Sequence, residues 1–119
     1  MTHSMAELET QIRRGRIVPG MSFAQKVWAV TARIPRGRVV TYADLARSLK
    51  STGYRAVGQA LHRNPYAPGV PCHRVVGSDG RLTGYAKGLA AKRRLLEEEG
   101  IFFRGSRVDL ACCRQYPVR

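Results

Sequence analysis

Prolines and glycines cut the apolar pattern of this 119-residue chain into short pieces, so only short elements can form. Phe23, Val27, Val30, Thr31 and Ile34 recur at three- and four-residue spacing, the stripe of an amphipathic helix, with Ser22 able to cap it and Pro35 to end it. Trp28 lies beside that stripe and is expected in the core. Arg36-Gly37-Arg38 reads as a turn and Val39-Val40 as a brief extended link. Thr41-x-x-Asp44 has the form of a capping box and predicts a helix from Tyr42 to Leu49. A Lys50-Ser51-Thr52-Gly53 turn separates it from a second helix, Tyr54 to Arg63, with Val57, Ala60 and Leu61 facing inward and Asn64-Pro65 ending it. Two short helices about a glycine-containing turn have the pattern of a helix-turn-helix.

Downstream, Val75-Val76 and Arg81-Leu82 flank a Gly77-Ser78-Asp79-Gly80 turn, which predicts a small hairpin. A helix from Leu89 to Glu99 follows, capped by Gly100, and its Lys92-Arg93-Arg94 and Glu97-Glu98-Glu99 runs read as a solvated face. Ile101-Phe102-Phe103 reads as a short strand, and Arg107 to Leu110 as the start of a small C-terminal element. The expected fold is mainly α with a small β element, organised as a compact, winged-helix-like helix-turn-helix domain over residues 22–119. Residues 1–21 read as an N-terminal extension with a short helix over Met5 to Arg14, and no function is assigned to them.

Lysine and arginine number 21 against 8 acids, a formal net charge of +13. Such an excess points to a polyanionic partner, most commonly nucleic acid; solubility is the other use of surface charge. Between Arg33 and Arg63 there are seven basic residues, Arg33, Arg36, Arg38, Arg47, Lys50, Arg55 and Arg63, against the single acid Asp44, which strengthens the helix-turn-helix reading. Ala56, Gly58 and Ala60 are small, and Gly58 lowers helix propensity. Close approach to DNA and close packing against another helix both account for them. No apolar run approaches the roughly 20 residues of a membrane span and the N-terminus has no apolar signal core, so a cytoplasmic protein is expected. Cys72, Cys112 and Cys113 have neither framework nor zinc-site spacing, so free thiols are expected and no metal.

The stretch Val70-Pro71-Cys72-His73-Arg74-Val75-Val76 puts a thiol, an imidazole and a guanidinium side by side. Cysteine attacks as its thiolate, and cationic or basic neighbours lower its pKa from about 8.5. Adjacent side chains on a straight strand point apart, so Cys72 and His73 cooperate only if the chain turns or a water bridges them. Pro71 favours a turn; a buried structural cysteine before a Val-Val strand is the alternative.

Taken in order, Asn64-Pro65, Pro71-Cys72-His73-Arg74-Val75-Val76, Asp79-Gly80, Gly84-Tyr85, Gly88-Leu89, Lys92, Leu95-Leu96 and Glu99-Gly100 resemble the active-site domain of the O6-alkylguanine-DNA alkyltransferases, also called methylated-DNA-protein-cysteine methyltransferases. The likeness extends upstream through Arg38 to Ala46 and Arg55-Ala56-Val57-Gly58 and covers about residues 22 to 103. The resemblance implies a suicide transfer of an alkyl group from a flipped-out O6-alkylguanine in double-stranded DNA to Cys72, without cofactor. It gives Tyr42 a place beside the phosphate, Arg55 the place of the lost base, and His73 with Glu99 the thiol proton. Asn64 braces the cysteine turn, Val75 offers backbone contacts to the base, and Tyr85 donates to the leaving guanine. Ala56 and Gly58 lie on a helix entering the minor groove, and Ala86 and Lys87 on the pocket loop. The family's usual Gly-Tyr-x-Gly-Gly loop reads Gly84-Tyr85-Ala86-Lys87-Gly88 here, which bears on pocket width. A monomer acting at the nucleoid is the expected form. The short chain and its tail also resemble the alkyltransferase-like proteins, which bind alkylated DNA without transfer and lack the cysteine; a lesion sensor is therefore the second expectation.

Overall fold

The computed structural model describes residues 4–115, 117 and 118. Its elements in chain order are α1 (Met5–Arg13), α2 (Phe23–Thr31), β1 (Val40–Thr41), α3 (Tyr42–Ser48), α4 (Tyr54–His62), a 3₁₀ turn (Cys72–Arg74), β2 (Val75–Val76), α5 (Leu89–Glu98), β3 (Phe103–Arg104), β4 (Arg107–Val108) and α6 (Leu110–Cys113).

Helices α2, α3 and α4 form the frame. Ser22 and Gln25 close a reciprocal capping box on α2, and Thr41 and Asp44 close one on α3, so both helices begin where their side-chain oxygens satisfy free amides. Val27, Val30, Ile34, Leu45, Ala46, Val57, Ala60 and Leu61 meet in the main core cluster, which also takes in Cys72, Val75 and Tyr85. Full burial of each valine or leucine there contributes about 1.5–3 kcal/mol. Trp28 is half-buried at the edge of this core and donates its indole N–H to the Ala60 carbonyl at 2.7 Å, tying α2 to α4.

Helix α1 is docked on this frame. Ile12, Met21 and Val70 form a separate buried cluster, with Leu8, Trp28 and Tyr66 packed against it, so the N-terminal segment covers the loop that precedes Cys72. Arg13 stands over the Tyr66 ring at 5.0 Å, and Arg33 Nε donates to the Gly15 carbonyl at 2.7 Å.

Two sequence expectations are corrected. The 77–80 turn forms, with Gly77 N donating to Arg81 O at 2.9 Å, but β2 does not pair with Arg81-Leu82. It pairs in parallel with β1, in the register Val40↔Val75 and Thr41↔Val76, and Arg81 instead bridges Arg107. Both strand residues of β2 are buried, so the non-local pairing serves the core and a solvent-edge hairpin would not. Gly80 sits at φ +85°, and a Cβ there would run into the Val108 carbonyl, so the turn is pressed against β4. The second correction concerns the charge run on α5. Lys92 is fully buried and shares the inward face with Leu96, while Arg93 lies on the Phe103 ring at 4.2 Å.

The C-terminal segment closes on the helix pair. Val39 N donates to Cys113 O at 2.9 Å and Gln115 N to Val39 O at 2.8 Å. Asp44, wholly buried, accepts from Arg114 Nε at 3.0 Å and from an Arg114 terminal nitrogen at 2.6 Å, in addition to capping α3. Among the described residues, no helix is long and apolar enough to cross a membrane.

Candidate active site and nucleic-acid interface

The chain does turn at the cysteine. Pro71 precedes a 3₁₀ turn over Cys72–Arg74, and this turn removes the opposite-face problem of a strand. Asn64 holds the preceding loop: its Nδ2 donates to Val70 O at 2.9 Å, its Oδ1 accepts from Tyr66 N at 2.9 Å, and Cys72 N donates to Val70 O at 2.9 Å. The loop therefore delivers the thiol at a fixed place under the core, where Cys72 is 7% exposed.

Beside it lies a buried charged triad. His73 Nε2 is 2.9 Å from Glu99 Oε2, and Arg74 grips the same carboxylate through Nε at 2.8 Å and a terminal nitrogen at 2.7 Å. The other terminal nitrogen of Arg74 donates to Ile34 O at 2.7 Å, so the group is anchored to the end of α2. Burial alone would raise the Glu99 pKa, but the hydrogen bonds from Arg74 and His73 outweigh it and hold the carboxyl below its usual range. A carboxylate only accepts, so His73 Nε2 carries the hydrogen and Nδ1 is the acceptor nitrogen. That Nδ1 is buried and has no protein partner. Burial pushes His73 below its ordinary pKa against the pull of Glu99, which leaves a neutral imidazole with an available lone pair at pH 7.

The thiol itself departs from expectation. Burial is the largest influence on Cys72 and pushes its pKa up; a hydrogen bond with Asn64 and the charges of Lys92 and Lys87 pull the other way without overcoming it. The resting sulfur is a protonated thiol, and a base is needed to make it a nucleophile. Tyr85 is 8% exposed, and its ring packs edge-on to His73 at 6.5 Å between centroids. Its hydroxyl is buried without a protein partner, and its pKa is raised by burial and by Cys72.

Lys92, Thr83 and Tyr42 form the boundary between this chamber and the surface. Lys92 Nζ donates to Thr83 O at 2.8 Å and lies 5.9 Å from the centre of the Tyr42 ring. Burial lowers the Lys92 pKa to about 8, while the nearby Cys72 favours its charge. The Tyr42 hydroxyl donates to Thr83 O at 3.1 Å and accepts from Thr83 Oγ1 at 3.1 Å; burial raises its pKa.

Outside this boundary is an open cleft of ≈ 710 Å³. Helix α4 supplies one wall with Tyr54, Arg55, Gly58, Gln59, His62 and Arg63, and Tyr42, Thr83 and Gly84 supply the other. Arg55 and Gly58 thus share the cleft with Tyr42, whereas Ala56 lines a separate hollow with Phe23, Trp28 and Ala60. Cys72, His73 and Glu99 are gathered behind the cleft. Val75 is buried in β2, and Ala86 and Lys87 are exposed on the loop before α5. A Cβ on Gly58 would meet nothing within 4 Å, so close packing against another helix does not account for that glycine.

Three residues of this arrangement carried no role in the sequence reading of the site, Lys92, Thr83 and Tyr54, and Arg74, read there as a neighbour of the thiol, binds Glu99 instead. The four-residue spacing of Lys92 and Leu96 is the signal that would have turned the lysine inward. Among the described residues no three His, Cys, Asp or Glu side chains gather as a metal site.

Residues 22–101 match the family model for 6-O-methylguanine DNA methyltransferase, DNA binding domain. The methylated-DNA–protein-cysteine methyltransferase of Methanosarcina barkeri is 52% identical over 81 residues, 67% of this chain and 51% of that protein. The protein of the same name from Mycobacterium tuberculosis is 47% identical over 81 residues, 67% and 49% of the two chains. The chain therefore spans about half the length of the curated relatives it matches. The crystal structure of Mycobacterium tuberculosis OGT in complex with DNA superposes with a TM-score of 0.65 at 37% identity, covering 79% of this chain and 64% of that one. S. pombe Atl1, solved with damaged DNA containing O6-carboxymethylguanine, gives a TM-score of 0.62 at 27% identity and covers 97% of this chain and 100% of its own. Sequence and structure agree, and the chain belongs to the 6-O-methylguanine DNA methyltransferase family through its DNA-binding domain.

Proposed function

We propose that this protein repairs O6-alkylguanine in duplex DNA by moving the alkyl group once, and irreversibly, to the sulfur of Cys72. The observation that carries this reading is the buried thiol beside a neutral imidazole whose orientation is fixed by Glu99 and Arg74. The target carbon lies within the base stack, so the nucleotide has to be extruded before a protein atom can reach it. Arg55, exposed on the cleft face of α4, takes the place left in the stack, and Tyr42 at the opposite wall crowds the nucleotide outward.

In the chamber, His73 Nδ1 draws the Cys72 proton through a water while Nε2–H stays on Glu99. The S–C bond forms as the C–O6 bond breaks, and the Tyr85 hydroxyl donates toward the departing guanine. Lys92, charged below a pH of about 8, stabilises the negative charge as the thiol ionises. Asn64 keeps the turn in place, Val75 offers its backbone to the base, and Ala86 and Lys87 border the mouth. The thioether product has no good leaving group, so one protein molecule is consumed per lesion. No cofactor takes part, and a monomer at the nucleoid in the cytoplasm suffices.

Intact-protein mass spectrometry after incubation with an O6-methylguanine duplex tests the reading. One added methyl mass on Cys72, and none with Cys72→Ala although DNA is still bound, is expected. Methyl on Cys112 or Cys113 overturns it. The second reading, a sensor that binds lesions without transfer, is favoured by the match over the whole S. pombe Atl1 chain; lesion binding with an unmodified Cys72 would establish it.

A further inference from the structure

The cleft holds an aromatic ring that neither the fold nor the transfer chemistry uses. Tyr54 opens α4, is 52% exposed, and its side chain has no hydrogen bond or ring partner among the described residues. Among the described residues the other exposed large apolar side chains are Met5, Ile17, Phe23, Leu89 and Phe102, and none of them lines this cleft. Tyr42 on the opposite wall is held at its hydroxyl by Thr83, whereas the Tyr54 ring is unrestrained.

Its neighbours state what kind of ligand meets it. Arg55 and Arg63 line the same cleft, and the chain carries a formal charge of +13, so the surface attracts a polyanion. One helical turn on, Gly58 leaves room for the partner to come close to the α4 backbone. Cations take the phosphates of such a partner; a half-exposed phenol ring has nothing to offer a phosphate through its face, but stacks on any base. Adjacent helix side chains diverge by about 100°. While Arg55 fills the opened step, Tyr54 is directed at a base next to it.

We propose that Tyr54 is a stacking platform for a nucleobase at the opened step of the duplex, so that α4 replaces lost base stacking with two side chains, Arg55 and Tyr54. The inference rests on the reading that α4 faces DNA at an extruded nucleotide. The base can be the unpaired one in the complementary strand or a neighbour in the lesion strand; both offer the same chemistry.

The test uses duplexes carrying O6-methylguanine and a single 2-aminopurine, placed opposite the lesion or on its 5′ or 3′ side. Wild type and Tyr54→Phe are expected to change the 2-aminopurine emission at one of these positions on binding to a different extent from Tyr54→Leu, in which extrusion and Arg55 alone disturb the stack. Cys72 methylation from the duplex should slow about tenfold in Tyr54→Leu, while reaction with free O6-methylguanine stays unchanged. Thermal melts check that the variants fold. Equal emission changes and rates for wild type and Tyr54→Leu overturn the proposal, and so does a Tyr54→Phe variant as weak as Tyr54→Leu, since that result assigns the work to the hydroxyl. A wild type that binds but does not methylate Cys72 ends the transfer reading alone, because the emission arm still decides Tyr54. A wild type that fails to bind the duplex ends both.

Discussion

Replacing Gly58 by alanine sets the stability of the free protein against its affinity for DNA. Gly58 is the fifth of nine residues in α4, and an added Cβ would meet nothing within 4 Å. Alanine in place of glycine inside an exposed helix gains about 0.8–1 kcal/mol, partly by narrowing the unfolded ensemble. For a chain between the 100- and 150-residue classes that corresponds to a rise in Tm of roughly 3–6 °C. On the bound side the same methyl group intrudes into the cleft face. An added methyl in a close-packed contact destabilises by about 1–3 kcal/mol, or roughly 5- to 150-fold in Kd. The assay is paired: thermal melting by circular dichroism, and fluorescence anisotropy with a short duplex at fixed ionic strength, because salt alone moves such affinities by orders of magnitude. A lower Tm would show that the fold needs the glycine. A higher Tm with unchanged DNA affinity would show that this face of α4 does not approach DNA.

Three further outcomes are expected. His73→Ala and Glu99→Gln should each slow Cys72 methylation, and the double variant should lose far less than the two together, because the carboxylate acts only through the imidazole; additive losses in single-turnover rates would assign Glu99 a separate role. Lys92→Met should slow methylation yet stabilise the fold. The folded pKa of about 8 lies below the ordinary 10.5, so the unfolded chain binds more protons in that window and wild-type stability rises as pH increases from about 8 to 10.5. Denaturant titrations should find that slope in wild type and not in Lys92→Met; the same slope in both refutes the assignment. Lys87→Gly should raise the rate with free O6-benzylguanine relative to methyl transfer from duplex, since the lysine at the loop replaces a small residue with a long cationic stem. An unchanged benzyl-to-methyl ratio, measured as second-order rates of Cys72 modification, would place the side chain in solvent.

Much of the helical frame could be read from local signals. Ser22, Thr41 and Asp44 cap helices as their positions predict, and the α3 and α4 boundaries fall within one residue of the expected ends. His73 and Glu99, 26 positions apart, meet as the family resemblance implied. What escaped the sequence is non-local. A two-residue strand carries no periodicity, so nothing in Val75-Val76 specifies a partner 35 positions upstream. The sequence neighbours of Cys72 suggested a lowered thiol pKa, but desolvation by the folded core opposes them and prevails. Lys92 looked like part of a solvated run because its stabilising acceptor, the Thr83 carbonyl, comes from a loop that only the fold brings near. The contact of α1 with the loop before Cys72 likewise rests on Ile12 and Val70, 58 positions apart.

The double duty of Asp44 couples two distant parts of the chain. One carboxylate caps the first helix of the helix-turn-helix pair and holds Arg114, 70 positions away. Removing Arg114 takes two bonds from a buried carboxylate that keeps Thr41 and, at 3.5 Å, Arg47, a loss on the order of 2 kcal/mol, below that of a fully enclosed pair because Arg114 is 37% exposed. Clipping or retagging the chain just before Arg114 therefore acts on the helix-turn-helix, and amide exchange at the N-terminus of α3 would register it. Acid reaches the same joint from the other side. Burial alone would raise the Asp44 pKa, but the bonds from Arg114 and Thr41 lower it, so the joint holds at neutral pH and loosens as pH falls through the depressed value. The tail behaves as a latch on the paired helices, loosened from either end by loss of a single charge.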